Sequence, residues 1–154
     1  DESIGATDAV AASPWHLWVV GGLSLLWNSF GAYDYTMTQL RDRDYIASAV
    51  EPLGFDVETA IAYWDGFPIW ADFFWALGVW GAFAGSGLLL LRSRWAVQAM
   101  IVAMIGLIGT TFGNYVVLDV PAAMQAPGLD AAIWGVTLFL LVFTRRMAQA
   151  GVLR

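Results

Sequence analysis

The chain has 154 residues, 59% of them hydrophobic and 13% charged, against about 25% charged in an ordinary soluble domain. Its formal charge of −6, with no Lys and only seven Arg, leaves no basic patch for nucleic acid. The absence of Cys excludes disulfides, thiolate metal sites, iron–sulfur clusters and the paired-thiol chemistry of quinone-linked thiol oxidases. A single His16 excludes a b-type haem held between two His of one subunit.

Residues 1–13, "DESIGATDAVAAS", are small and polar, have no basic region of the signal-peptide kind, and read as a mobile tail. Four apolar segments follow. The first runs from about Pro14 to Thr38, with Ser13 as an expected N-cap and Pro14 in the first turn. The connection Gln39–Phe67 is long. Within it "FDVETAIAYWDGF" places Val57, Ile61 and Trp64 at helical spacing behind Asp56, which predicts one short helix at the membrane interface. The second segment runs from about Pro68 to Leu91, and the third from Trp95 to about Leu118, before Pro121. The fourth is expected to start near Asp130 and to end at Arg145 and Arg146.

A membrane span needs about 20 apolar residues to cross a hydrocarbon core about 30 Å thick. The first three segments meet that length; the fourth, with about 16, falls short unless Arg145 and Arg146 snorkel to the interface. Nothing alternates like barrel strands, and open sheet edges do not survive in lipid. The expected fold is therefore an all-α membrane protein. It is a four-helix transmembrane bundle over 14–148, followed by a short C-terminal tail over 149–154. The three-residue loop Arg92–Arg94 makes the second and third helices an antiparallel hairpin.

Arg sets the orientation. Arg92, Arg94, Arg145, Arg146 and Arg154 fall on one side of a four-span chain, and Arg41 and Arg43 on the other. Positive charge marks the cytoplasmic side, so both termini are expected there. Ten of the thirteen acids, Asp34 to Asp130, then lie on or near the opposite face, which becomes strongly acidic.

Each of the first three helices carries small residues at spacings of three and four, which share one face. They are Gly21, Ser24, Asn28, Gly31 and Ala32 in the first helix. The second has Gly78, Gly81, Ala82 and Gly85, and the third Ala99, Ala103, Gly106, Thr110 and Gly113. Such faces let helices approach closely in lipid, and Asn28 is expected to bond a neighbouring helix at roughly 1 kcal/mol. Asn28, Gly31, Gly81, Gly85 and Gly106 are thus the expected packing residues. The expected ligand- or cation-binding residues are Asp34, Asp72, Asn114 and Tyr33, which share an outer layer. Intramembrane carboxylates are costly and tend to face a bundle interior. Asp34 and Asp72 are expected to share one pocket open to the outer face. The bland alternative for each is hydration at the interface, and for His16, beside Trp15 and Trp18, a headgroup contact.

The stretches "PWHLWVVGGLSLLWNSFGAYDYTMTQLRDRDY", "GFPIWADFFWALGVWGAFAGSGLLLLRSRWA" and "RRMAQAGVLR" together resemble a group of small proteobacterial inner-membrane proteins, usually labelled hypothetical and sometimes "sugar transporter". The resemblance spans most of the chain beyond its first dozen residues. It implies a four-helix membrane architecture and a bacterial inner-membrane location, and carries no catalytic residue, cofactor or metal.

Three functions compete. The first is a non-enzymatic accessory or structural subunit of a larger inner-membrane complex, with the lipid bilayer and other membrane subunits or further copies of itself as partners. The second is a small oligomeric transporter, or a solute- or cation-binding protein, that uses an acidic outer pocket. The third is an enzyme in which the two Asp hold a divalent cation.

Overall fold

A computed structural model describes residues 11–154. Among these residues the chain is helical throughout, with no strand. Six α-helices follow in order: α1 (Trp15–Gln39), α2 (Arg43–Val50), α3 (Val57–Asp65), α4 (Ile69–Leu90), α5 (Trp95–Phe112) and α6 (Pro127–Gln149). A π turn, Gly113–Val117, extends α5.

Among the described residues three helices are long and apolar enough to cross a membrane: Ile69–Leu90, Trp95–Val117 and the Ala122–Gln149 stretch that contains α6. The first and last helices differ from expectation in detail. The last helix starts at Pro127, a turn before Asp130, because Pro occupies the first helical position where its missing N–H costs nothing. It is therefore not short. The first helix has the length, 25 residues, but Ser24, Asn28, Ser29 and Asp34 keep it out of the apolar set.

Helix starts also differ in detail. Ser13 does not cap α1. Pro14 itself holds the N-cap position in an extended conformation, and Pro68 does the same for α4. Where the chain is polar, capping follows the expected chemistry. Asp56 accepts from the Thr59 N–H at 3.0 Å and starts α3. The long connection holds two short helices rather than one, because Asp42 accepts from the Tyr45 N–H at 2.8 Å and opens α2 as well. Ile46, Val50, Val57 and Ala60 give this α2–α3 hairpin a small core of its own. Arg41 secures it to the end of α1. Its guanidinium donates to the Thr38 and Trp64 carbonyls, both at 2.6 Å, and pairs with Asp65 at 2.9 Å.

The bundle is built on α4 and α5, which approach until only glycine fits. A Cβ on Gly106 would lie 2.1 Å from the Gly78 nitrogen, and one on Gly81 would lie 2.8 Å from the Ala103 nitrogen. α1 lies along the other side of α4. Gly21 packs under Leu90, and the Asn28 amide donates to Ser86 Oγ at 2.8 Å and to the Ala82 carbonyl at 3.3 Å. Asn28, Gly81, Gly85 and Gly106 thus sit in helix seams. Gly31 does not: a Cβ there meets no heavy atom within 4 Å.

At the end that carries the α4–α5 loop, Leu17, Leu89, Ala96, Val152 and Leu153 form one core, with Phe143 and Met147 of α6 against it. The residues expected as a C-terminal tail are part of this core. Val152 and Leu153 are buried, and residue 154 exchanges backbone bonds of 2.7 Å with Arg92 and Arg94. Residues 1–10 of the expected N-terminal tail lie outside the described residues. Ala11 accepts from the Arg92 guanidinium at 3.0 Å.

Candidate functional site

α1 and α6 meet at the loop end, where His16 packs edge-on against Phe143 at 5.8 Å. Further along, the space between them is open. A cavity of about 750 Å³ lies there, lined by α1, α4, α5 and α6 and covered by residues of the α2–α3 hairpin. That volume suits a drug-sized ligand, since small-molecule pockets run to roughly 300–1,000 Å³.

The α1 wall consists of Trp27, Asn28, Phe30, Gly31, Tyr33 and Asp34. Except for Asn28 and Tyr33, these follow a spacing of three and four, so one face of α1 turns to the cavity while the adjacent face packs on α4. Tyr45 of α2, Trp64 of α3 and Phe67 reach in from above, and Trp75 from α4. Trp64 stacks on Trp75 with ring centroids 5.1 Å apart, which seats the hairpin on α4. On the far wall α6 contributes Leu129, Asp130, Ile133 and Thr137. α6 is held to α5 here by the Trp134 indole N–H, which donates to Thr111 Oγ1 at 2.9 Å.

The π turn supplies further polar groups. It carries Asn114 and Tyr115 to the cavity wall, one turn beyond Thr110 and Thr111 of α5. Tyr115 donates its hydroxyl to Asp130. Tyr45 donates to Asp34 Oδ1 at 2.7 Å and packs edge-on against Tyr33 at 5.5 Å. Burial, then the Asp34 carboxylate, raise the Tyr45 hydroxyl above its usual range. It stays a neutral donor at any ordinary pH. Thr110, also on the wall, has a buried Oγ1 with no hydrogen-bond partner among the described residues. A helical Thr ordinarily bonds the carbonyl a turn before it, and this one does not.

Of the residues expected to share a site, the cavity brings together Asp34, Tyr33 and Asn114. Asp72 is not on its wall and instead accepts from the Gln39 amide in the α1–α4 seam. The expected Asp34–Asp72 pocket is corrected to one in which the second carboxylate is Asp130. Helix phase explains this. Asn28, Ala32 and Gln39 share the α1 face turned to α4, whereas Trp27, Gly31 and Asp34 share the face turned to the cavity. In the sequence Asp130 marks a helix start and one of the ten outer-face acids, and nothing there singles out Tyr45 or the hairpin aromatics as site residues. The signal for the α1 wall was present in the Trp27–Gly31–Asp34 spacing.

Compared with known proteins, the chain matches no family model, no curated protein and no solved structure. A second, shallower groove of about 590 Å³ runs along α4 and α5 beside Trp70, Phe74, Ile108 and Phe112. Its walls are apolar throughout, with no group that would orient a ligand.

Proposed function

We propose that this chain is a four-span bacterial inner-membrane protein, both termini cytoplasmic, that binds a lipophilic solute in the cavity between α1 and α6. The observation that carries this reading is the cavity itself: ligand-sized, walled by aromatics, and fitted with a few polar groups at the α2–α3 end. That combination is the usual build of a small-molecule site. The reading is of binding rather than catalysis, since each wall carboxylate is held in place by a Tyr hydroxyl with acceptor capacity left for a ligand, and His16 lies at the other end of the bundle.

α1 is proposed as the fourth span in spite of its polarity. Hydropathy counts each residue alone, whereas here the polar atoms are matched within the bundle. Asn28 bonds α4, Ser24 and Ser29 bond carbonyls of their own helix, and Asp34 receives Tyr45. Satisfied polar groups lose most of their cost in lipid. α1 also runs the length of α4, from Leu17 beside Leu89 to Gln39 beside Asp72. Reporter fusions active only outside the cytoplasm should work after Ser48 and Gln125 and stay silent after Arg94 and Arg154. Silence after Ser48 would remove α1 as a span, and activity after Arg154 would remove α6.

Binding is tested with acridine, a neutral aromatic, titrated into the full chain in dodecyl maltoside. Trp27, Trp64 and Trp75 line the cavity, so occupancy should quench their fluorescence in a saturable way. Only linear, micelle-like partitioning would end the reading.

A second reading, the accessory subunit, has one observation in its favour. α6 is the least covered of the three apolar spans, with 11% of its apolar window buried, and a Cβ at Gly128 or Gly135 would meet nothing within 4 Å. A partner helix seated there should co-purify in mild detergent. A lone monodisperse chain under the same extraction counts against it.

A further inference from the structure

We propose that the solute of the α1–α6 cavity is a lipophilic organic cation, an amine or quaternary ammonium that carries an aromatic or alkyl body. The proposal rests on the binding reading above and names its ligand class. Among the described residues every charged group on the cavity wall is acidic: Asp34 on α1 and Asp130 on α6. The two Arg at this end are committed elsewhere. Arg41 serves Asp65 and two carbonyls, and Arg43 pairs with Glu58.

The partners that the carboxylates do have leave their charge in place. Tyr45 and Tyr115 are neutral donors, each to a single oxygen. A carboxylate offers about four acceptor sites, so each retains capacity for a further donor. The same walls carry Trp27, Phe30, Trp64 and Trp75. Their ring faces carry partial negative charge, which attracts an ammonium and offers an apolar body a matching wall.

The alternatives fit less well. An anion would face two carboxylates and the negative faces of the rings. A neutral solute would leave both carboxylates partly desolvated without recompense. A divalent metal ion needs six or so oxygens close together, and aromatic walls do not provide them. The ammonium can belong to a soluble compound or to the headgroup of an aminophospholipid. The chemistry recognised is the same.

The test pairs two probes of one shape on the full chain in dodecyl maltoside, a detergent with a neutral sugar headgroup. 9-Aminoacridine is a cation at neutral pH and acridine is not. The wild type should bind the cation about tenfold more tightly. In the Asp34→Asn, Asp130→Asn double variant each Asn oxygen still accepts its Tyr hydroxyl, so the walls stay in place. The preference should fall to within about twofold while acridine binding persists. Equal affinity of the wild type for both probes overturns the cation proposal and leaves the cavity reading intact. Saturable binding of neither probe overturns both. A preference that survives in the double variant also overturns the proposal, since it would not come from these carboxylates. Displacement of 9-aminoacridine by added phosphatidylethanolamine, but not by phosphatidylglycerol, identifies a lipid ammonium as the occupant. No displacement by either lipid identifies a soluble cation.

Discussion

Gly106→Ala should destabilise the bundle more than any other single methyl added to it. The new Cβ would stand 2.1 Å from the Gly78 nitrogen and 2.6 Å from both the Gly78 Cα and the Phe74 carbonyl oxygen. All three are backbone atoms of α4, so no side chain can swing aside and α4 and α5 must separate. Separation loses dispersion contacts along the whole seam, and packing is what holds helices together where lipid is as apolar as they are. Overpacking of this kind costs on the order of 1–3 kcal/mol, against which Ala regains about 1 kcal/mol of helix propensity. Gly85→Ala is the contrast. Its Cβ would meet the Met100 Cε at 2.6 Å, which is the far end of a flexible side chain. Detergent melting should fall clearly for Gly106→Ala and little for Gly85→Ala. Equal melting of the two variants would mean that α4 and α5 do not approach as described.

That seam was legible in the sequence because small residues at spacings of three and four have one common physical use in lipid. Gly81, Gly85 and Gly106 were read from spacing alone and lie where it put them. Gly31 shows the limit. It stands three residues after Asn28 and looks in phase with it, but the seam continues through Ala32, which is buried, and leaves Gly31 about 100° away on the cavity side. Spacing fixes which residues share a helix face. It does not say which neighbour that face meets, nor whether the neighbour lies close or leaves a gap. The same ambiguity joined Asp34 to Asp72 by depth, although their faces diverge. The cavity was illegible for a further reason. Its walls come from six helices and a π turn, and no local pattern announces that α1 and α6 meet at one end only. The π turn at Gly113–Val117 likewise has no strong sequence mark beyond the glycine that opens it.

Gly31→Trp turns the same misplacement into a test of the site. Gly31 lines the cavity, and a Cβ built there has open space around it, so an indole can enter without displacing backbone. Trp is also a better helix former than Gly by roughly a few tenths of a kcal/mol. The variant should therefore melt at or slightly above the wild type. Its indole would share the space beside Trp27 and Asp34 that a ligand needs, so saturable acridine binding should weaken by about tenfold or more, the loss of roughly 1.4 kcal/mol. Loss of binding with unchanged melting is an outcome that a disturbed fold cannot produce, because a disturbed fold would lower both. Full binding in a well-folded Gly31→Trp protein would put the probe elsewhere. The apolar groove beside Trp70 and Phe74 is then the site to examine, and Ile108→Trp, on the wall of that groove, would weaken binding where Gly31→Trp had not.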